Sequence, residues 1–119
     1  MDHQPTEIKL RTKSRQIDVD FSDGKYFELP FEYLRVHSPS AEVKGHGPGQ
    51  EVLQTGKEAV GVTELQPVGH YAIRIVFDDG HDTGLYTWQY LYELGKDRPR
   101  LWQSYLDRLT AAGYPRKSA

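Results

Sequence analysis

The sequence predicts an α+β domain: an antiparallel sheet of about five or six short strands, with two C-terminal helices packed on one face. Three observations predict it. The N-terminal stretch alternates apolar and polar positions in short runs joined by turns. Residues 71–77 make an apolar strand that ends in a hairpin signal, Asp78-Asp79-Gly80-His81. Beyond residue 87 the apolar positions switch to helical spacing. A chain of 119 residues fits one domain, read as 1–119 with an ordered core of about 5–113.

Each element follows in order. Glu7–Arg11 alternates, with Ile8 and Leu10 on one face. Arg15–Phe21 sets Ile17, Val19 and Phe21 against Asp18 and Asp20. Ser22-Asp23-Gly24 is a turn, because glycine accepts the positive φ of a tight reversal. Tyr26–Leu29 is the third strand of this meander. Pro30 opens a short helical segment with Phe31 and Leu34 inward, since proline is welcome at a first helical position. Ser38–Gln54 carries Ser38, Pro39, Ser40, Gly45, Gly47, Pro48 and Gly49 with almost no periodicity, and reads as one long loop. Loops beyond about 12–15 residues in a compact domain are usually functional or disordered. Val60–Leu65 and Tyr71–Phe77 are strands, the second apolar except at Arg74, and the chain returns through Thr83–Tyr86. Thr87 caps a helix through Leu94, with Trp88, Leu91 and Tyr92 on one stripe and Gly95 as its stop. The last helix starts near Pro99 and places Leu101, Trp102, Tyr105, Leu106 and Leu109 on one face. Gly113 and Pro115 end it.

Composition excludes several function classes. The formal charge is −2, from 15 basic and 17 acidic residues spread along the chain, which is not the footprint of a nucleic-acid binder. There are no cysteines, so disulfides, thiolate metal sites and thiol nucleophiles are out. No apolar run approaches the ~20 residues of a membrane span, and no signal peptide opens the chain. A soluble, cytoplasmic protein is the expectation.

Two segments, LRVHSPSAEVKGHGPGQ (34–50) and FDDGHDTGLYTWQYLYELG (77–95), resemble the N-terminal domain of gamma-butyrobetaine hydroxylase and the small bacterial proteins grouped with it. In the hydroxylase version, three cysteines after a Leu-Arg pair and one later histidine hold a structural zinc. The resemblance puts those positions on Ser38, Ser40, Val43 and His81, so one ligand of four survives. Serine hydroxyls are poor zinc ligands and valine is none. The resemblance therefore implies a domain without its zinc and without the separate dioxygenase domain, hence no cofactor and no catalysis. It also implies an accessory role near metal-cofactor or iron–sulfur assembly, because similar domains are appended to iron–sulfur carrier proteins.

The candidate site residues each have a plainer alternative. His81, beside Asp78, Asp79 and Asp82, is a ligand or proton-transfer group, or else a turn histidine that neighbouring carboxylates keep protonated. The second alternative is the weightier. His37, His46 and His81 would make a three-histidine metal site if the long loop folds onto the hairpin; zinc is the alternative cofactor on that reading. The glycines of 45–50 lack the spacing of a phosphate loop. Ser38 and Ser40 lack a nucleophile elbow and read as turn caps. The helix tyrosines are too many to bury every hydroxyl, which leaves aromatic surface for a partner. The expected function is a non-catalytic accessory or protein-binding module. Its surface comprises His37, Ser38, Ser40, His46, Asp79, His81, Asp82, Tyr86 and Trp88, and its partner is a protein. The alternative is a metal-binding protein or small metalloenzyme. Alanine at His81 and Asp79 is expected to weaken the partner without unfolding the domain.

Overall fold

Two three-stranded antiparallel sheets, rather than one sheet of five or six strands, carry the chain in the computed structural model, which describes residues 3–45, 47 and 49–117. The first sheet joins β1 (Pro5–Arg11), β2 (Gln16–Phe21) and β3 (Tyr26–Pro30) in sequence order. Its register pairs Ile8 with Val19 and Ile17 with Leu29, so the alternating apolar set meets on one face. Ile17, Val19 and Leu29 are fully buried there. Gly24 takes φ 90° in the β2–β3 turn, and the Lys25 N–H donates to the Asp23 carboxylate (2.9 Å). Asp18, on the polar side of the alternation, is nevertheless buried: Arg11 (2.9 Å) and Gln16 (2.7 Å) both donate to it.

The second sheet joins β4 (Val62–Val68), β5 (Ala72–Phe77) and β6 (Leu85–Thr87). Between the sheets lie α1 (Phe31–Val36) and the connection 37–61, so β4 pairs with its chain neighbour β5 rather than extending the first meander. Strand β5 starts one residue later than the alternation suggested, and Tyr71 is exposed. The return strand is only three residues long. Residues 78–84 form a wide loop, closed by the Phe77 N–H donating to the His81 carbonyl (3.0 Å). One core takes side chains from both sheets, including Val19, Leu29, Ile73, Ile75, Phe77 and Tyr86, with Leu34 of α1 between them.

Thr87 caps α3 (Trp88–Lys96), its hydroxyl accepting from the Tyr90 N–H (3.1 Å). Gly95 does not stop that helix. It lies inside α3, where an added Cβ would sit 2.3 Å from the Phe27 ring, so glycine serves close approach of α3 to β3. Helix α4 (Arg98–Ala111) divides its apolar face: Leu101 and Trp102 pack against the main core, while Tyr105 and Leu109 are buried with Val36 of α1. The long loop also contains α2 (Ala41–Lys44), capped by Ser40. The tyrosines of β6 and the two helices find acceptors after all. Tyr86 donates to the Leu34 carbonyl (2.6 Å), Tyr90 to that of His37 (2.6 Å), Tyr92 to Asp23 (2.7 Å) and Tyr105 to the Gln54 carbonyl (2.7 Å). The exposed tyrosines, Tyr26, Tyr71 and Tyr114, lie elsewhere. No helix among the described residues is long and apolar enough to cross a membrane.

Candidate functional site

The segment after α1 folds onto the 78–84 loop, and the polar residues singled out in both meet there. Ser38 is fully buried, with its Oγ 2.8 Å from His81 Nε2. On the other side of the ring, His81 Nδ1 lies 3.2 Å from Glu42 Oε2, which the first turn of α2 supplies. A carboxylate accepts at Nδ1, so the neutral ring carries its proton on that nitrogen. Nε2 is then free to accept the Ser38 hydroxyl proton. The second carboxylate oxygen, Glu42 Oε1, accepts from Thr83 Oγ1 (3.1 Å). That commits the Thr83 proton, so Ser40 Oγ–H donates to Thr83 (2.8 Å) while its own oxygen caps the Glu42 N–H (3.2 Å). The Ser40 N–H closes the circuit on Ser38 Oγ (3.2 Å). Among the described residues, no buried side-chain nitrogen or oxygen lacks a hydrogen-bond partner.

Ser38, His81 and Glu42 thus stand in the order and at the spacing of a nucleophile, base and orienting carboxylate. Access is what they lack. Ser38 has no exposed surface, and a Cβ on Gly84 would fall 2.4 Å from its Oγ, so the hydroxyl is enclosed by close packing. In this arrangement the three side chains share protons inside a packed joint.

The electrostatics differ from the turn-histidine expectation. Burial first, and the Arg35 guanidinium second, hold the His81 pKa below its ordinary value against the opposing pull of Glu42. The aspartates next to it in sequence do not govern it. Asp78 accepts from the Gly61 N–H (2.9 Å) and Asp82 is exposed. Asp79 receives Arg35 Nε (2.9 Å), Lys57 Nζ (2.8 Å) and the His81 backbone N–H (3.2 Å). Burial raises the Asp79 pKa, but the bonds from Lys57, the His81 N–H and Arg35 outweigh it and hold the carboxyl down at about 2. Arg35 also donates to Gln54 (3.0 Å), which pins the far end of the connection.

Of the remaining sequence candidates, Tyr86 is fully buried under this joint and burial pushes its phenol up. Trp88 is half-buried, with its indole N–H on the His70 carbonyl (2.7 Å). His37 turns away: its Nδ1–H donates to the Tyr33 carbonyl (2.9 Å), and its ring packs beside Tyr33 and Tyr105. Burial lowers its pKa too. His46 lies outside the described residues. Among the described residues, no group of three His, Cys, Asp or Glu side chains is placed to hold a metal. The four positions to which the resemblance assigned zinc hold two hydroxyls, a buried valine and one imidazole, a donor set that does not fit zinc. Sequence reasoning missed Glu42, Thr83, Arg35 and Lys57. The only available signal was the Ser40–Glu42 cap at the start of a four-residue helix.

This burial gives a pH prediction. In the unfolded chain His81 and His37 titrate near 6.5, whereas folded they titrate lower. The unfolded state then binds more protons as pH falls, so stability is full above about pH 7 and declines as pH drops below about 6.5. Urea midpoints should be level between about pH 7 and 8 and fall at pH 6 and 5, less steeply for His81→Gln. Level midpoints down to pH 5 would contradict the buried neutral imidazole.

Similarity to known proteins places this joint in a family. The sequence matches the model described as gamma-butyrobetaine hydroxylase-like, N-terminal, over residues 8–92. The chain belongs to that family. Solved structures agree. Two proteins determined by NMR in solution superpose with TM-score 0.83. One is 46% identical, covering 98% of this chain and 92% of its own. The other is 50% identical, covering 98% of this chain and 87% of its own. A crystal structure of a DUF971-family protein of unknown function from Acidithiobacillus ferrooxidans matches with TM-score 0.65 at 46% identity, over 77% of this chain and 92% of its own. No curated protein matches the chain.

Proposed function

We propose that this family member is a non-catalytic protein-binding module whose recognition surface is the outer rim of the joint between 38–45 and 78–84. The carrying observation is that the reactive groups face inward. Ser38, Ser40 and His81 are buried and mutually bonded, so the segment is held in one geometry while its exposed side chains point out. That rim contains Glu42, Lys44, Asp82 and the partly exposed Leu85, with Val52 brought alongside by its N–H on the Val43 carbonyl (2.8 Å). A preorganised rim mixing charge with apolar side chains suits recognition of another protein, because little ordering entropy is left to lose on binding. The resemblance to domains appended to iron–sulfur carrier proteins makes metal-cofactor assembly factors the first partners to present.

The test uses Asp82→Arg and Val52→Glu, both at exposed positions where stability should change by no more than about 0.5 kcal/mol. Partners cross-linked to the wild-type protein should be lost from both variants at unchanged melting temperature. Partners kept equally by both variants would sink this surface.

A further inference from the structure

Nearer the start of α1 than Arg35, a second site is occupied by the chain itself. Glu32, in α1, is a carboxylate whose side chain is only 8% exposed. Its cation comes from the irregular segment beyond α4: Arg116 donates Nε to Oε2 (2.9 Å) and Nη2 to Oε1 (2.5 Å). The same guanidinium lies over the Trp102 ring, 5.3 Å from its centroid, and Trp102 in turn meets the buried Tyr33 edge-on. A fork matched to both carboxylate oxygens, with an aromatic face beneath it, selects a guanidinium over an ammonium. Around this contact the segment is loosely held. Residues 111–117 are all exposed, and cavities of about 230 and 520 Å³ adjoin Arg116 on its two sides. Among the described residues, its other hydrogen bonds are those of the Ala112, Gly113 and Tyr114 N–H groups back onto α4 and of the Lys117 N–H to the Glu58 carboxylate (2.7 Å).

A buried carboxylate is costly to leave without its counter-ion, so Glu32 demands a cation whether or not the tail supplies it. We infer that Glu32 and Trp102 form a guanidinium receptor, filled at rest by the chain's own Arg116 and taken over by an arginine-bearing segment of a partner protein when the tail lifts. The attachment is concentrated in one side chain, so an incoming arginine can replace it without rebuilding the fold. The tethered tail competes at an effective concentration on the order of millimolar, which sets the threshold a partner must exceed.

The probe is the peptide acetyl-Tyr-Pro-Arg-Lys-amide, titrated into full-length protein while the Trp102 indole N–H resonance is followed. In Arg116→Ala the peptide should bind saturably and at least about tenfold more tightly than in wild type, since the competing tail is removed. Adding Glu32→Gln should abolish that binding, and a peptide with lysine in place of arginine should bind more weakly. A folded Arg116→Ala protein whose Trp102 signal ignores the peptide would overturn the receptor and leave Arg116 as an internal brace. Should Arg116→Ala fail to fold, Arg116→Lys keeps the charge and loses the fork. The peptide should then displace the tail more readily than in wild type, and equal affinities would overturn the proposal.

Discussion

His81→Ala is expected to destabilise the domain by about 2–4 kcal/mol, measured by urea unfolding. Two losses combine. The imidazole is almost fully buried, so its removal leaves a cavity beside Phe77, whose ring centroid lies 6.1 Å away. The Ser38 hydroxyl, with no exposed surface, then loses its acceptor, and Glu42 loses its Nδ1 donor. Ser38→Ala alone should cost about 1–2 kcal/mol. The double variant should fall short of the sum, because both substitutions delete the same bond. A His81→Ala protein within about 0.5 kcal/mol of wild type would show that the joint does not hold the fold. Burial therefore reverses the expectation, drawn from the sequence, that alanine here touches only a partner.

Gly95→Ala is the second large effect, and its sign is opposite to helix propensity. Within an exposed helix the change gains about 1 kcal/mol. Here the new Cβ would lie 2.3–2.6 Å from three carbons of the Phe27 ring, which is itself packed edge-on against Phe21 and Tyr92. The half-buried ring is held on two sides, so ring, helix or strand must shift, at a cost of about 1–3 kcal/mol. Melting temperature should fall by several degrees, roughly 4–8 °C per kcal/mol for a domain near this size. Phe27→Leu in the same chain should recover part of the loss. A rise in melting temperature for the single variant would mean that the ring yields.

How far residue patterns reach is visible in these two positions. Ile17, Val19 and Phe21 alternate strongly enough to name a strand and its buried face, and Thr87 names a helix start, because both signals are local. The division into two sheets is not local: alternation says which face is apolar but not which strand lies alongside. Gly95 carried an ambiguous signal, since the residue that ends helices also permits two backbones to approach. His81 was misread through its sequence neighbours. Asp78, Asp79 and Asp82 are spent on Gly61, on Arg35 with Lys57, and on solvent, while the carboxylate that faces the ring lies 39 positions away. The tyrosine hydroxyls were judged too many to satisfy. Their acceptors are backbone carbonyls at chain distances of 51 to 53 for Tyr86, Tyr90 and Tyr105, which no spacing rule sees.

Each sheet is complete within its own half of the chain, and no ladder bond crosses from one to the other. What spans the divide is side-chain burial, hydroxyl bonds such as Tyr33 to the Leu94 carbonyl and Tyr86 to that of Leu34, and side-chain pairs such as Arg35 with Asp79 and His81 with Glu42. A backbone cut between Gly49 and Gly56 would therefore sever no strand. It would yield two fragments with finished ladders and matching greasy faces. Those are the conditions for complementation: pieces produced separately can reunite through side-chain contacts, without exchanging strands.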